Sequence, residues 1–376
     1  MLDVETLHPN RLAPADTALW RRMAQAEPAF ASPLLGPDFT QAVGRVREDA
    51  RVAVIRRDGE TLGFLPYHRR PGRMARAIGS PLSDYHAIVS RPDPGFGAQD
   101  VLSAADLGVF RYTGLVDPFG VFGDVGEASQ AFVIAPEGSA EAFLERVRAA
   151  SPKKIKNYRR LDHKLGREIG EVRMVAPDRS REAFDQVIAW KREQLARTGL
   201  HDFMRPDWTR DLLLDLFQRQ TGDFQGLLVS LYAGDNLVAG HFGVRLGAVF
   251  HPWIASTNPA FGAWSPGHLF FQRAIAAMPG LGLERYDLAP GHDHYKRTYA
   301  FEQTEVRGGA VTASLMASSV EGAWNLAGGN GSGMVARLRR RMDVITSVEL
   351  TMSGQVRGLV SAVAGQSRRG GGREEG

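Results

Sequence analysis

The chain has 376 residues, 43% hydrophobic and 23% charged, with 46 Lys and Arg against 42 Asp and Glu, a formal charge of +4 and no cysteine. That length exceeds one typical domain and that balance folds, which excludes a disordered chain, while the charge excess is too slight for a chain-wide nucleic-acid surface and predicts no DNA partner. Without cysteine there are no disulfides, thiol nucleophiles, thiolate-bound zinc sites or iron–sulfur clusters, so any covalent catalysis must use another group.

Residues 1–10 carry Asp3 and Glu5 and lack a basic stretch before an apolar core, so they do not read as a secretory signal. No apolar run approaches the roughly 18 residues of a membrane-spanning helix. A cytoplasmic protein is expected, with peripheral contact to the inner membrane as the membrane option. Residues 52–65 alternate around Asp58-Gly59, a hairpin turn signal. A hairpin of the same shape occupies residues 228–241 around Gly234-Asp235-Asn236, and the two align without gaps at a separation of 176 residues. Two copies of one unit are therefore expected.

Between them, Ser151-Pro152 reads as a helix start, Ser151 as cap and Pro152 at the first helical position, where its missing N–H costs nothing. The helix that follows sets Ile155, Tyr158, Leu161 and Leu165 on one side and Lys153, Lys154, Lys156, Arg159, Arg160, Lys164 and Arg167 on the others. A helix over 181–197, closed by Gly199, carries an apolar stripe of Phe184, Val187, Ile188 and Leu195, with Lys191 on that stripe. From residue 227 the pattern is a three-stranded meander, a helix over 267–278 entered through Ser265-Pro266, a short strand over 285–288 and the loop Ala289-Pro290-Gly291. Residues 328–333 form a Gly-rich linker, 334–347 one more candidate helix and 367–376 a polar tail. The predicted division is 1–150, 151–317, and an extension over 318–376 made of linker, basic amphipathic segment and disordered tail.

Several of these stretches resemble a known family. Residues 79–85 (Gly-Ser-Pro-Leu-Ser-Asp-Tyr), the basic helix, Ser265-Pro266-Gly267-His268-Leu269, and Tyr286-Asp287-Leu288 through Gly291, Asp293, Tyr295 and Lys296 are similar to the CelD/BcsL-type branch of the GNAT acetyltransferases, linked to bacterial exopolysaccharide synthesis. The two-copy layout resembles the tandem GNAT architecture of Fem-type transferases, and the length and extension resemble enzymes of adhesive, holdfast-like polysaccharide. The resemblance implies an α/β fold of tandem GNAT-like domains, mixed central sheets flanked by helices. It also implies an acetyl-CoA or other acyl-CoA donor, an amino-sugar polysaccharide or lipid-linked precursor as acceptor, and acceptor contacts at Asp84 and Tyr85. The Gln/Arg-x-x-Gly-x-Gly/Ala loop of acetyl-CoA-dependent GNAT enzymes is missing. Ser265, Gly267 and His268, opening a helix directly after a strand, are the expected phosphate site in its place, the alternative being an ordinary capped helix.

Acyl transfer to an amine needs a base, donors for the oxyanion and an acid for the leaving thiolate. Asp287, Asp293, His294, Tyr295 and Lys296 are the densest titratable cluster of the second half: Asp287 or His294 as base, Tyr295 as acid, Asp293 on the acceptor, and Lys296 on a phosphate or carboxylate. The bland reading is a polar loop. His292 and His294 supply too few ligands for zinc, and no metal is expected. Lys191, with Trp190 and Arg192, is expected at the acceptor, because a cation on an apolar stripe is costly unless used, although snorkelling also satisfies it. Trp253 is a candidate sugar-stacking ring, and His241 and His251 read as structural. The basic helix suits CoA phosphates, a lipid-linked pyrophosphate or a membrane surface. Arg337, Arg339, Arg340 and Arg341 suit the inner leaflet or a nucleotide second messenger such as cyclic di-GMP.

No Gly-x-Ser-x-Gly elbow, Walker loop or Gly-x-Gly-x-x-Gly fingerprint supports a hydrolase, NTPase or dehydrogenase. The rival readings are a Fem-like transferase that takes an aminoacyl group from tRNA, and a non-catalytic effector that binds ligands within a polysaccharide assembly complex.

Overall fold

A computed structural model describes residues 2–124, 126–291, 295–313, 342 and 344–350. The chain opens with β1 (Leu2–Leu7), α1 (Pro14–Ala26), α2 (Pro37–Val46), β2 (Ala50–Arg57), β3 (Glu60–Arg70), β4 (Met74–Ala77), β5 (Val89–Ser90), α3 (Ala98–Ala104) and β6 (Val109–Leu115). It continues through β7 (Glu127–Ile134), α4 (Ala140–Ala150), α5 (Pro152–Glu168), β8 (Val172–Val175), α6 (Arg181–Arg197) and α7 (Asp207–Gln218). There follow β9 (Phe224–Ala233), β10 (Asn236–Leu246), β11 (Val249–Thr257), α8 (Pro266–Ala277), β12 (Arg285–Pro290), the short α9 (Lys296–Tyr299) and β13 (Glu302–Thr312). This is an α/β fold of mixed sheet flanked by helices.

The residues fall into two compact units, 1–128 with 194–213 and 306–376, and 129–193 with 214–305. In the first the strands run β1-β2-β3-β4-β6-β13, and in the second β8-β9-β10-β11-β12-β7. Both orders share one pairing scheme: antiparallel through the fourth strand, parallel between fourth and fifth (β4 with β6, β11 with β12), antiparallel to the sixth. The repeat is close in detail. The second hairpin arms, β3 and β10, start and end 176 residues apart, and their burial matches position for position, an exposed start, seven consecutive buried residues and a half-buried end. Asp58 and Gly59 both take positive φ at the first hairpin's turn, as a two-residue connection matching strand twist requires.

Each unit encloses its own core. Phe132 and Ile134 of β7 and Phe143 and Val147 of α4 join that of the second unit, so this stretch, expected in the first half, packs with the second. Ser151 does flank both helices, but its side chain makes no capping bond. Its N–H instead closes α4 on the carbonyls of Val147 and Arg148. In the C-terminal extension, where one more helix is expected over 334–347, residues 344–348 are helical, and Ile345 and Val348 are fully buried. Arg47 and Arg70 donate to the carbonyls of Ser347 and Thr346, and Trp208 donates to that of Val348 at 3.0 Å. These bonds meet the unsatisfied carbonyls at a helix end, and arginines suit its negative dipole. No helix among the described residues is long and apolar enough to cross a membrane.

Candidate active site

In the second unit the two parallel strands part. β11 and β12 are in register at Val249↔Arg285 and Phe250↔Tyr286. Beyond that point β11 runs to Thr257 against β10, while Asp287 and Pro290 of β12 pair with Val133 and Ala131 of β7. A split opens between them. Next to its β11 wall lies the start of α8: a Cβ on Gly267 would sit 3.7 Å from Thr257 Cγ2. Ser265 enters that helix at φ +54°, without a side-chain cap. The first-turn N–H groups of a helix lack intrahelical partners and carry the positive end of its dipole, a suitable place for an anion.

Two elements converge on this turn. From α5, Tyr158 stacks on His268 at 4.2 Å and Lys164 approaches the Trp264 ring at 6.0 Å. Lys153, Lys154, Lys156, Arg159, Arg160 and Arg167 of the same helix are exposed. From α9, the Tyr299 hydroxyl lies 3.2 Å from His268 Nδ1 and donates to the His268 carbonyl at 3.3 Å, while Tyr295 and Tyr299 both stack on Phe271 at 5.1 Å. Burial raises the Tyr299 and Tyr158 pKa values, for Tyr299 with the charge of Tyr158 adding, so both phenols stay protonated and able to donate.

A second polar line runs under the split. His241 of β10 stacks on Phe270 at 4.0 Å, and its Nδ1 is 2.7 Å from the Tyr286 hydroxyl. Burial, then the charge of Lys191, lowers the His241 pKa to about 3, so this imidazole is neutral at physiological pH. Burial, then the charge of Tyr295, raises Tyr286 well above the ordinary phenol value. Lys191 and Tyr295 are thus both near enough to act on the His241–Tyr286 pair.

The arrangement matches a known domain. Residues 152–297 match the family described as an acetyltransferase (GNAT) domain. Among solved structures, FemX is similar at 11% identity over 85% of this chain and 99% of its own, with a TM-score of 0.51. A protein of unknown function from Bacteroides thetaiotaomicron aligns at 10% identity over 82% and 100% with a TM-score of 0.49. A tandem GNAT protein from the clavulanic acid biosynthesis pathway aligns at 10% over 84% and 99% with a TM-score of 0.44. Similarity at this identity concerns the fold. No curated protein matches the chain.

Within the second unit the predicted residues divide. Tyr295, Lys191, Ser265, Gly267 and His268 surround the split or the polar line beneath it. Asp287 does not face solvent: one carboxylate oxygen accepts the Ala289 N–H at 2.8 Å and the other is 3.6 Å from Nδ1 of the fully buried His251. Lys296 is also interior, donating to the carbonyls of Ala289 and Pro290 at 3.3 and 2.9 Å. Together they hold the end of β12, where Ala289 takes φ +61°. Trp190 is buried, Arg192 exposed and Trp253 half-buried on β11. Asp293 and His294, like Arg337, Arg339, Arg340 and Arg341, lie outside the described residues. No set of three or more His, Cys, Asp or Glu among the described residues is placed to hold a metal ion.

Asp84 and Tyr85 belong to the first unit, and there they close what the second leaves open. β4 and β6 pair over Met74–Arg76. The chain then returns so that His86 bridges Leu115, its N–H on the Gly114 carbonyl at 3.1 Å and its carbonyl on the Val116 N–H at 2.8 Å. A Cβ on Gly114, at φ +75°, would lie 1.9 Å from the Asp84 carbonyl oxygen, so only glycine fits. Tyr85 is buried.

His241, Tyr286, Tyr158 and Tyr299 were not singled out as site residues from sequence. A faint signal existed for Tyr299, four residues after Tyr295 and so on the same helical face. The His241–Tyr286 pair spans 45 residues and left no local trace.

Proposed function

We propose that the chain is an N-acyltransferase that moves an acyl group, acetyl in the first instance, from coenzyme A to the amine of an amino sugar in an exopolysaccharide or its lipid-linked precursor. The observation that carries this reading is the parting of β11 and β12 beside the first turn of α8, with the basic α5 packed against that turn. The diphosphate of the donor sits at the α8 N-terminus with Ser265, Gly267 and His268, and the exposed lysines of α5 add long-range attraction. The thioester arm enters the split, where strand N–H groups of β11 bond its amides and the oxyanion. The acceptor amine, in its neutral form, attacks the carbonyl carbon, and the proton its nitrogen then sheds passes to solvent water, which in turn reprotonates Tyr295 after the collapse that follows. Collapse of the tetrahedral intermediate breaks the carbon–sulfur bond, and Tyr295 protonates the thiolate.

Lys191, with Trp190, Arg192 and Trp253, is the acceptor side of this proposal. The choice of an amino sugar rests on the likeness to the CelD/BcsL-type enzymes. Because the chain has no cysteine, release of coenzyme A thiol reads against no protein background. The expected result is acetyl-CoA binding in the micromolar range by calorimetry and thiol release that depends on glucosamine oligomers. Aminoacyl transfer from charged tRNA with no thiol release would move the reading to the Fem-like reaction. Binding of sugars without turnover of either donor would leave a non-catalytic effector.

A further inference from the structure

The first unit carries a groove of about 520 Å³ between α1, the start of β3, the end of β5 and Phe119. All its lining residues lie between positions 19 and 119, within that unit, and none takes part in the acyl-transfer chemistry above. Its size is that of a small-molecule site, which runs from about 300 to 1,000 Å³.

Met23 and Phe119 supply apolar wall. The Phe119 ring is half-buried and packs edge-on against the buried Phe30 at 5.8 Å, so it is held from behind as a fixed platform. The charged lining consists of Arg22 and Arg91 against Glu27 and Glu60, two of each sign. Arg91 donates to Glu60, and a Glu27 oxygen accepts the Ala29 N–H at 3.0 Å. This balance disfavours an anion, which would face both carboxylates, and equally a cation, which would face both guanidinium groups. Planar donors beside planar acceptors suit a ligand that is neutral and rich in hydroxyls, since each hydroxyl both donates and accepts. The C–H face of a sugar ring is apolar and matches the aromatic platform.

We infer that this groove is a saccharide-binding subsite that takes neutral sugar units of a glycan. The inference rests on the acceptor being a glycan but asks nothing of the donor site. The test is calorimetric titration of the full chain with the neutral N-acetylglucosamine tetramer, alongside acetyl-CoA. The tetramer should bind the parent chain, and Phe119→Ala should weaken it by about tenfold. Met23→Trp, which puts a larger side chain into the groove, should weaken it as well, with acetyl-CoA affinity unchanged in both variants. Equal tetramer affinity in parent and variants, or none in the parent, overturns the subsite whatever acetyl-CoA does. A Phe119-dependent tetramer site in a protein that binds no coenzyme A thioester upholds the subsite and sinks the donor assignment instead. Preference for an anionic oligosaccharide over the tetramer overturns the neutral-sugar assignment.

Discussion

Three buried imidazoles make this protein sensitive to acid. Burial first and Lys191 second lower His241 to about 3; burial and the charge of His68 lower His86 to about 3; burial and the charge of Arg47 lower His68 to about 4. A histidine whose folded pKa lies below its unfolded value of about 6.5 binds fewer protons folded than unfolded between the two. Stability is therefore full above pH 6.5 and falls, by about 1.4 kcal/mol per pH unit for each imidazole, as pH drops toward 4 and then 3. Melting temperature should drop by several degrees between pH 7.5 and pH 5.0, and His241→Gln, which keeps a partner for Tyr286 without titrating, should flatten that dependence. At the split, Tyr295→Phe keeps the ring on Phe271 and removes the acid, so kcat should fall about 100-fold with acetyl-CoA affinity unchanged. Sequence alone assigned Asp287 and Lys296 to chemistry for a sound local reason, two charges beside a glycine loop. Folding spends both inside, where they bond the backbone at the end of β12.

Among elements, α8 and the β10–β11 pair shape the site. Nothing crowds the position of a Gly267 side chain, the nearest atom being Thr257 Cγ2 at 3.7 Å, so Gly267→Asp is tolerated sterically and places a carboxylate at a positive helix end. Thermal stability should hold or rise slightly, by about 0.3–1 kcal/mol, while acetyl-CoA affinity drops at least about tenfold through repulsion of the donor phosphates. A phosphate site elsewhere would leave affinity unchanged. Gly243 is the opposite case. Its Cβ would fall 2.0 Å from the His251 carbonyl at the register shift between β10 and β11. Gly243→Ala must push the strands apart and should cost about 1–3 kcal/mol, read as a lower urea midpoint. The hairpins and the α5, α6 and α8 helices were legible because turn chemistry and apolar period act over a few residues. The parting of β11 from β12 was not, since it depends on β7 drawing the end of β12 away.

For the whole molecule, the C-terminal segment tests how far the fold extends past β13. Ile345 and Val348 are fully buried in the first unit, and Arg47, itself nearly inaccessible, donates to Ser347. Deleting residues 342–376 removes two buried side chains worth about 1.5–3 kcal/mol each and takes acceptors from Arg47, Arg70 and Trp208. The truncated chain should melt markedly lower and expose the Trp208 ring to acrylamide quenching. A melting temperature equal to that of the full chain would show the segment to be dispensable.

What the sequence determined by itself was whatever a short window decides: the repeated hairpin with its 176-residue offset, the proline-started α5, the amphipathic stripes and the Ser-Pro entry to α8. Tertiary structure alone decided which copy keeps an open split and which is closed by its own chain through His86 and Leu115. It also decided that the sixth strand of each sheet is β13 in one unit and β7 in the other, and that a helix near the C-terminus bonds to Arg47, 300 residues earlier. The reason is physical: burial, pairing and pKa belong to groups brought together across long loops, and no periodicity in the chain encodes which distant residue will be there.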